Sequence, residues 1–335
     1  MPSDLAVVDR MLQGDRLALA RLITLVENRS ALVPEIMRQI HPRTGRAYRV
    51  GLTGPPGAGK SSLADKLTAL MRHAGASVGI VAVDPSSPYS GGAVLGDRIR
   101  MQAHALDTEV FIRSMATRGS AGGLARATGE VVKLLDAFGK AWILIETVGV
   151  GQTELEIART ADTTVVVLTP ESGDAVQTMK AGLLEVADCF VVNKADRPGA
   201  DLLVNELTMM VHLREEGAKP SDGVVWEVPV VATRAQEGEG VAALFEAIRR
   251  HRAVLEESGA LERRRAARRR QEFQEVVAQE VRALVLQRLE RDPRLAPVVD
   301  GVAQGRLDPY SAVADLLASV SWLPSPPPST SAPSA

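Results

Sequence analysis

Eight residues constrain this chain more than any others. Gly54-Pro55-Pro56-Gly57-Ala58-Gly59-Lys60-Ser61 satisfies every fixed position of G-x-x-x-x-G-K-[ST]. An apolar run, Tyr48 to Leu52, precedes it, and a helical pattern begins at about Ser61. The glycines let the backbone curl until successive N–H groups point at phosphate oxygens, and the helix N-terminus adds its partial positive charge. Lys60 is then placed to reach β- and γ-phosphates, and Ser61 to coordinate Mg2+ through its hydroxyl. The order strand, loop, helix is the context this chemistry needs.

The surrounding pattern extends that unit. Val78 to Val83, Trp142 to Ile145, Thr164 to Leu168, Cys189 to Val192 and Val228 to Val231 are short and apolar, and read as buried strands. Helical stretches such as Ser62 to His73 and Gly123 to Phe138 lie between them. Strands alternating with helices predict an α/β fold, a mostly parallel sheet covered on both faces. Asp4 to Ile40 reads as helical, broken at Gly14-Asp15 and reopened at Pro34. Beyond Val241 the pattern is helical again. The expected divisions are a helical extension over 1–47, the α/β domain over 48–250, a helical region over 251–323 and a Pro/Ser tail over 324–335, whose composition cannot build a core.

Composition removes other classes. Of 335 residues 45% are apolar, which is enough for a sizeable core, and with 3% aromatics that core is mainly Ala, Val and Leu. A net charge of −2 argues against a nucleic-acid or membrane-surface partner. The arginine run Arg263 to Arg270 is interleaved with Glu262, Glu272 and Glu275 and reads as a solvated helix face. The single cysteine, Cys189, excludes an internal disulfide and sits in an apolar strand as a small hydrophobe. No signal-peptide pattern and no apolar run of the ~18 residues that span a bilayer is visible, so the expectation is a soluble cytoplasmic protein. Leu284, Leu286, Leu289, Leu316 and Leu317 leave apolar helix surface that calls for a second subunit, a homodimer.

A second motif selects the nucleotide. Asn193-Lys194-Ala195-Asp196 follows directly on the strand Cys189 to Val192. The Asp196 carboxylate can accept from N1–H and the exocyclic amine of guanine, whereas adenine would leave it unpaired. Asn193 is placed to tie this loop to the phosphate loop, and the Lys194 stem to lie along the base. The ligand is therefore GTP or GDP rather than ATP. Asp84 and Glu146, each at a strand end, and Asp97 in Gly96-Asp97-Arg98 supply acids for Mg2+ beside Ser61. Glu146-Thr147-Val148-Gly149 stands where many GTPases carry D-x-x-G, with Gly149 N–H for the γ-phosphate. Val150 follows where Ras-like enzymes have a water-orienting Gln, so intrinsic hydrolysis should be slow.

Val83-Asp84-Pro85-Ser86-Ser87-Pro88-Tyr89-Ser90-Gly91-Gly92, Leu95 to Met101 and Glu146 to Gln152 resemble the MeaB/ArgK GTPases. The resemblance implies a P-loop NTPase of the SIMIBI class that dimerises through C-terminal helices. It implies a chaperone of adenosylcobalamin-dependent acyl-CoA mutases, chiefly methylmalonyl-CoA mutase, in which GTP hydrolysis gates cofactor loading and protects the mutase. By the same resemblance Gly54 to Ser62 is the phosphate loop, Asp84 to Asp97 the first switch, Glu146 to Gln152 the start of the second, and Glu171 to Lys180 a third that offers Asp174 and Lys180 to catalysis. The family's last guanine loop often reads T-S-A; here it is Thr233-Arg234-Ala235, ahead of Gly238-Glu239-Gly240. A small-molecule kinase shares the phosphate loop but not N-K-x-D. A nickel metallochaperone would need His and Cys clusters, and the five histidines are scattered.

Overall fold

The computed structural model describes residues 2–84, 102–104, 106–116, 127–147, 157, 159–172, 185–217 and 223–318. Asp97, Gly149, Val150, Gln152, Asp174, Lys180 and the tail 324–335 lie outside them, and of Asp84 only the backbone is described. The chain forms two compact units, Met1–Arg268 and Arg269–Ala335.

The first unit begins with α1 (Pro2–Leu12), α2 (Arg16–Glu27) and α3 (Val33–Ile40). Asp15 caps α2 by accepting from the N–H groups of Leu17 and Ala18 at 2.8 and 3.1 Å, which is why the helical pattern breaks there. The α/β part follows as β1 (Tyr48–Thr53), α4 (Lys60–His73), β2 (Val78–Asp84), β3 (Val110–Ala116), α5 (Thr128–Ala137), β4 (Trp142–Glu146), β5 (Thr163–Leu168), β6 (Cys189–Asn193), α6 (Ala200–Gly217), β7 (Val230–Thr233) and α7 (Val241–Glu257). The strands make one 7-stranded parallel sheet among the described residues, in the order β3-β2-β4-β1-β5-β6-β7. This is the fold of the P-loop NTPases of the SIMIBI class.

Alternate residues of each strand serve different layers. Val165 and Val167 pack with α4 and α7, whereas Val166 and Leu168 pack with α6. On the far side, Val81, Val83, Ile143 and Ile145 pack with α5 and with Val8, Met11, Leu19, Leu22 and Ile36 of α1 to α3. The N-terminal helices are thus a layer of the same core. Burial on both faces explains the continuous apolar runs of the inner strands.

The edge strand β3 carries no such run, because Arg113 and Ser114 interrupt it. Its cover is polar: Arg113 pairs with Glu27, and Arg16 donates to the carbonyls of Thr108 and Val110, so α2 blocks the open edge.

The arginine run is not a uniformly solvated face. It lies in α8 (Ala260–Arg291), where Arg265 donates to the carbonyls of Gly45 and Ala47 at 2.7 Å and to Asp162 at 2.6 Å. Arg268 reaches Asp162 at 3.1 Å and the Ala161 carbonyl at 2.8 Å. Asp162 is buried, only 2% exposed. Burial alone would raise its pKa, but the Arg265 hydrogen bond and the charges of Arg268, Arg265 and Arg49 hold it below the ordinary aspartate value.

The second unit comprises the rest of α8 with α9 (Ala296–Ala303) and α10 (Pro309–Ala318). Along α8, Phe273, Val276, Val277, Val281, Leu284 and Leu286 are exposed. Among the described residues no helix is long and apolar enough to cross a membrane.

Candidate functional site

The loop after β1 and the ends of β4, β6 and β7 meet at the carboxyl edge of the sheet, where open α/β sheets bind ligands. Register brings them together. Leu52 lies opposite Glu146, Thr53 opposite Val166, and Asn193 opposite Thr233.

Glycine is required twice in the Gly54–Ser61 loop. Gly54 has φ +135°, and a Cβ there would fall 1.9 Å from the Val167 carbonyl oxygen. Gly59 has φ +91°, and its Cβ would fall 2.1 Å from the Asn193 amide nitrogen. Between them the chain turns so tightly that α4 starts at Lys60 without a side-chain cap, which leaves its first N–H groups facing the loop. Lys60 is buried and curls over that loop, donating to the carbonyls of Gly54 and Pro55 at 2.8 and 2.9 Å. A cation is thereby held within the space the loop encloses.

Ser61, one residue on, donates its hydroxyl to Glu146 Oε1 at 2.6 Å, and both side chains are buried. A hydroxyl and a carboxylate at a helix N-terminus are hard oxygen donors of the kind Mg2+ takes. Mg2+ keeps several waters and needs only one or two protein groups, so Ser61 and Glu146 fit it, with the β2 end at Asp84 a further candidate. Beneath them Thr147 hydrogen-bonds Thr53 hydroxyl to hydroxyl at 3.1 Å, and its N–H donates to the Leu52 carbonyl. Both threonines are buried. Neither occupies a fixed position of a motif, Thr147 standing at a variable place of Glu146-Thr147-Val148-Gly149; only the register of β1 against β4 reveals the pair.

Asn193 binds the two halves of the site. Its amide donates to the Ala58 carbonyl at 2.8 Å, while its oxygen accepts from the Thr233 hydroxyl and the Ala235 N–H, each at 3.0 Å. The chain then bends sharply: Lys194 adopts φ 57°, the Ala195 N–H donates to the Thr233 carbonyl, and Asp196 emerges exposed at the turn. In the last loop Arg234 bridges back to Glu239, backbone to backbone and side chain to side chain at 2.9 Å. Its guanidinium is thus occupied by Glu239. Lys60, Ser61, Glu146, Asn193, Thr233 and Ala235 come together in this way, and Asp196 stands at the rim.

The chain matches the family model of the methylmalonyl Co-A mutase-associated GTPase MeaB over residues 19–290. It is 50% identical to a putative GTPase of Pyrococcus horikoshii over 93% of this chain and 96% of that one. It is 33% identical to the mitochondrial methylmalonic aciduria type A homolog of Mus musculus, covering 92% of this chain and 78% of that one. The crystal structure of a LAO/AO transport system kinase superposes with a TM-score of 0.69 at 27% identity, over 96% of this chain and 98% of that one. A complete phosphate loop, a guanine-type strand end joined to it through Asn193, and these likenesses agree: the chain belongs to the MeaB family of P-loop GTPases.

Proposed function

We propose that this GTPase is the chaperone of an adenosylcobalamin-dependent acyl-CoA mutase, methylmalonyl-CoA mutase first among them, gating cofactor loading and protecting the mutase from inactivation. The observation that carries the partner is the family itself, whose model is described by association with that mutase. The mouse relative's name points to the same metabolism. The kinase reading is not favoured, since N-K-x-D and the GTPase relatives both argue for hydrolysis.

In this reading Lys60 exchanges the Gly54 and Pro55 carbonyls for β- and γ-phosphate oxygens, and the Gly54 to Ser62 backbone cradles them. Ser61 and Glu146, helped by Asp84 and Asp97, hold Mg2+, which when bound offsets the charge of those oxygens. Gly149 contacts the γ-phosphate, Asp196 reads the base with Lys194 along its plane, and Thr233-Arg234-Ala235 closes over its edge. Lys180 is the candidate that completes catalysis when the mutase engages. The exposed apolar residues of α8 suit a homodimer, and the protein works in the cytoplasm.

Steady-state phosphate release with and without purified methylmalonyl-CoA mutase tests the proposal. A rate raised about tenfold corresponds to only about 1.4 kcal/mol of transition-state stabilisation. It should be accompanied by co-elution of the two proteins. An unchanged rate with no co-elution would refute the mutase reading and leave the GTPase intact.

A further inference from the structure

Asp196 reads nothing unless its turn is held still, and the structure shows how the turn is held on each side. On the inner side the Ala195 N–H donates to the Thr233 carbonyl at 3.0 Å. On the outer side the next residue, Arg197, pairs its guanidinium with the Glu171 carboxylate. Glu171 is itself fixed. It lies in the short turn Pro170–Ser172 at the end of β5, and its carboxylate also takes hydrogen bonds from the Thr169 side chain and its own backbone. These partners, Arg197 foremost, hold the Glu171 carboxyl down at about 2, so the pair stays charged throughout the physiological range. The two segments also run side by side. A Cβ on Gly199 would lie 3.9 Å from the Pro170 side chain, and Ala195, Ala200 and Leu203 pack in the same cluster as Leu168.

We propose that Arg197 is a positioning residue for guanine selection: paired with Glu171, it braces the turn that presents Asp196 and sets how strongly the site prefers guanine to a base without the exocyclic amine. The inference rests on the reading of Asp196 as the base-recognising carboxylate. The pair is 48% and 49% exposed, so the brace is modest, about two- to fivefold in an affinity ratio, and weakens with salt.

Inosine keeps N1–H and O6 but lacks the amine, so the ratio of GDP to IDP affinity reports on Asp196 rather than on the site at large. Titration calorimetry of both nucleotides on the full chain compares the parent with Arg197→Ala, Glu171→Gln, Asp196→Asn and the charge exchange Glu171→Arg/Arg197→Glu. Arg197→Ala and Glu171→Gln should each lower the ratio about two- to fivefold, with a smaller loss for IDP, which keeps the N1–H that Asp196 also accepts but has no amine to lose. The exchanged pair should recover most of it. In an Asp196→Asn background Arg197→Ala should have no further effect. Equal losses of GDP and IDP, or no loss at all, would overturn the brace. If Asp196→Asn collapses the ratio and Arg197→Ala does not touch it, the brace alone fails. If Asp196→Asn leaves the ratio intact, the base-reading assignment fails first.

Discussion

The Asn193 amide donates to the Ala58 carbonyl at 2.8 Å, joining the end of β6 to the phosphate loop. A single buried side chain therefore links the group that meets the base to the loop that meets the phosphates. Because its oxygen accepts from both Thr233 and Ala235, the last loop is drawn into the same unit.

Asn193→Ala should accordingly damage stability and binding together. It leaves the Ala58 carbonyl, the Thr233 hydroxyl and the Ala235 N–H without this partner in a buried place, a cost of about 2–4 kcal/mol. Urea unfolding should show that loss, and GDP affinity should fall with it. Stability lost with GDP affinity retained would mean that the two loops are not coupled through Asn193.

Lys60→Ala should abolish hydrolysis, because the γ-phosphate loses the main side-chain cation of the loop. The ammonium donates to two backbone carbonyls of the loop, Gly54 and Pro55, so its removal loosens the loop rather than the sheet. The variant should remain folded by circular dichroism while phosphate release falls to background. Turnover retained in the purified variant would mean that Lys60 has been given the wrong role.

Much of this was legible in the sequence, for a physical reason. β1, β2, β4, β5 and β6 are buried on both faces, and such strands must be continuous apolar runs. The loop Gly54–Ser61 and Asn193 to Asp196 are contiguous, so their chemistry can be read locally. What escaped reading depends on distant partners. β3 is an edge strand whose cover is Arg16 and Arg113, and its interrupted sequence concealed it. β7 is Val230–Thr233 rather than Val228 to Val231, a shift that puts Thr233 against Asn193. Arg265 and Arg268 looked like two more solvated arginines because Asp162 lies about a hundred residues earlier. Thr53 and Thr147 meet only through strand register.

Asp162 makes stability depend on acid. Its folded pKa lies below the ordinary aspartate value, so its contribution is fully present above that ordinary value and is lost as pH falls through the folded one. Asp162→Asn should destabilise by about 3–5 kcal/mol at neutral pH, because Arg265 and Arg268 then lose the buried carboxylate that both of them bind. The variant's urea midpoint should also depend less on pH below about 4 than the parent's does. A parent and variant with the same acid profile would remove Asp162 from the account.

The apolar stripe on α8 leads to the last expectation. Phe273, Val276 and Val277 are 68%, 52% and 42% exposed, and Leu284 and Leu286 are 51% and 47% exposed. An exposed apolar surface of this extent is unusual on a monomer and usually marks an interface. A second copy offers the same stripe, so a two-fold interface can bury both at once. Arg265 and Arg268 fix where a fair truncation must fall: ending the chain near residue 250 would strip Asp162 of its partners, whereas ending it after Arg268 keeps them. A chain ending at Arg268 should bind GDP as the parent does and run as a monomer by light scattering, while the full chain runs as a dimer at micromolar concentration. Phe273→Asp with Leu284→Asp should separate the full chain without lowering its melting temperature below that of the truncated form. A full chain that stays monomeric, or a double variant that stays dimeric, would place the subunit contact elsewhere.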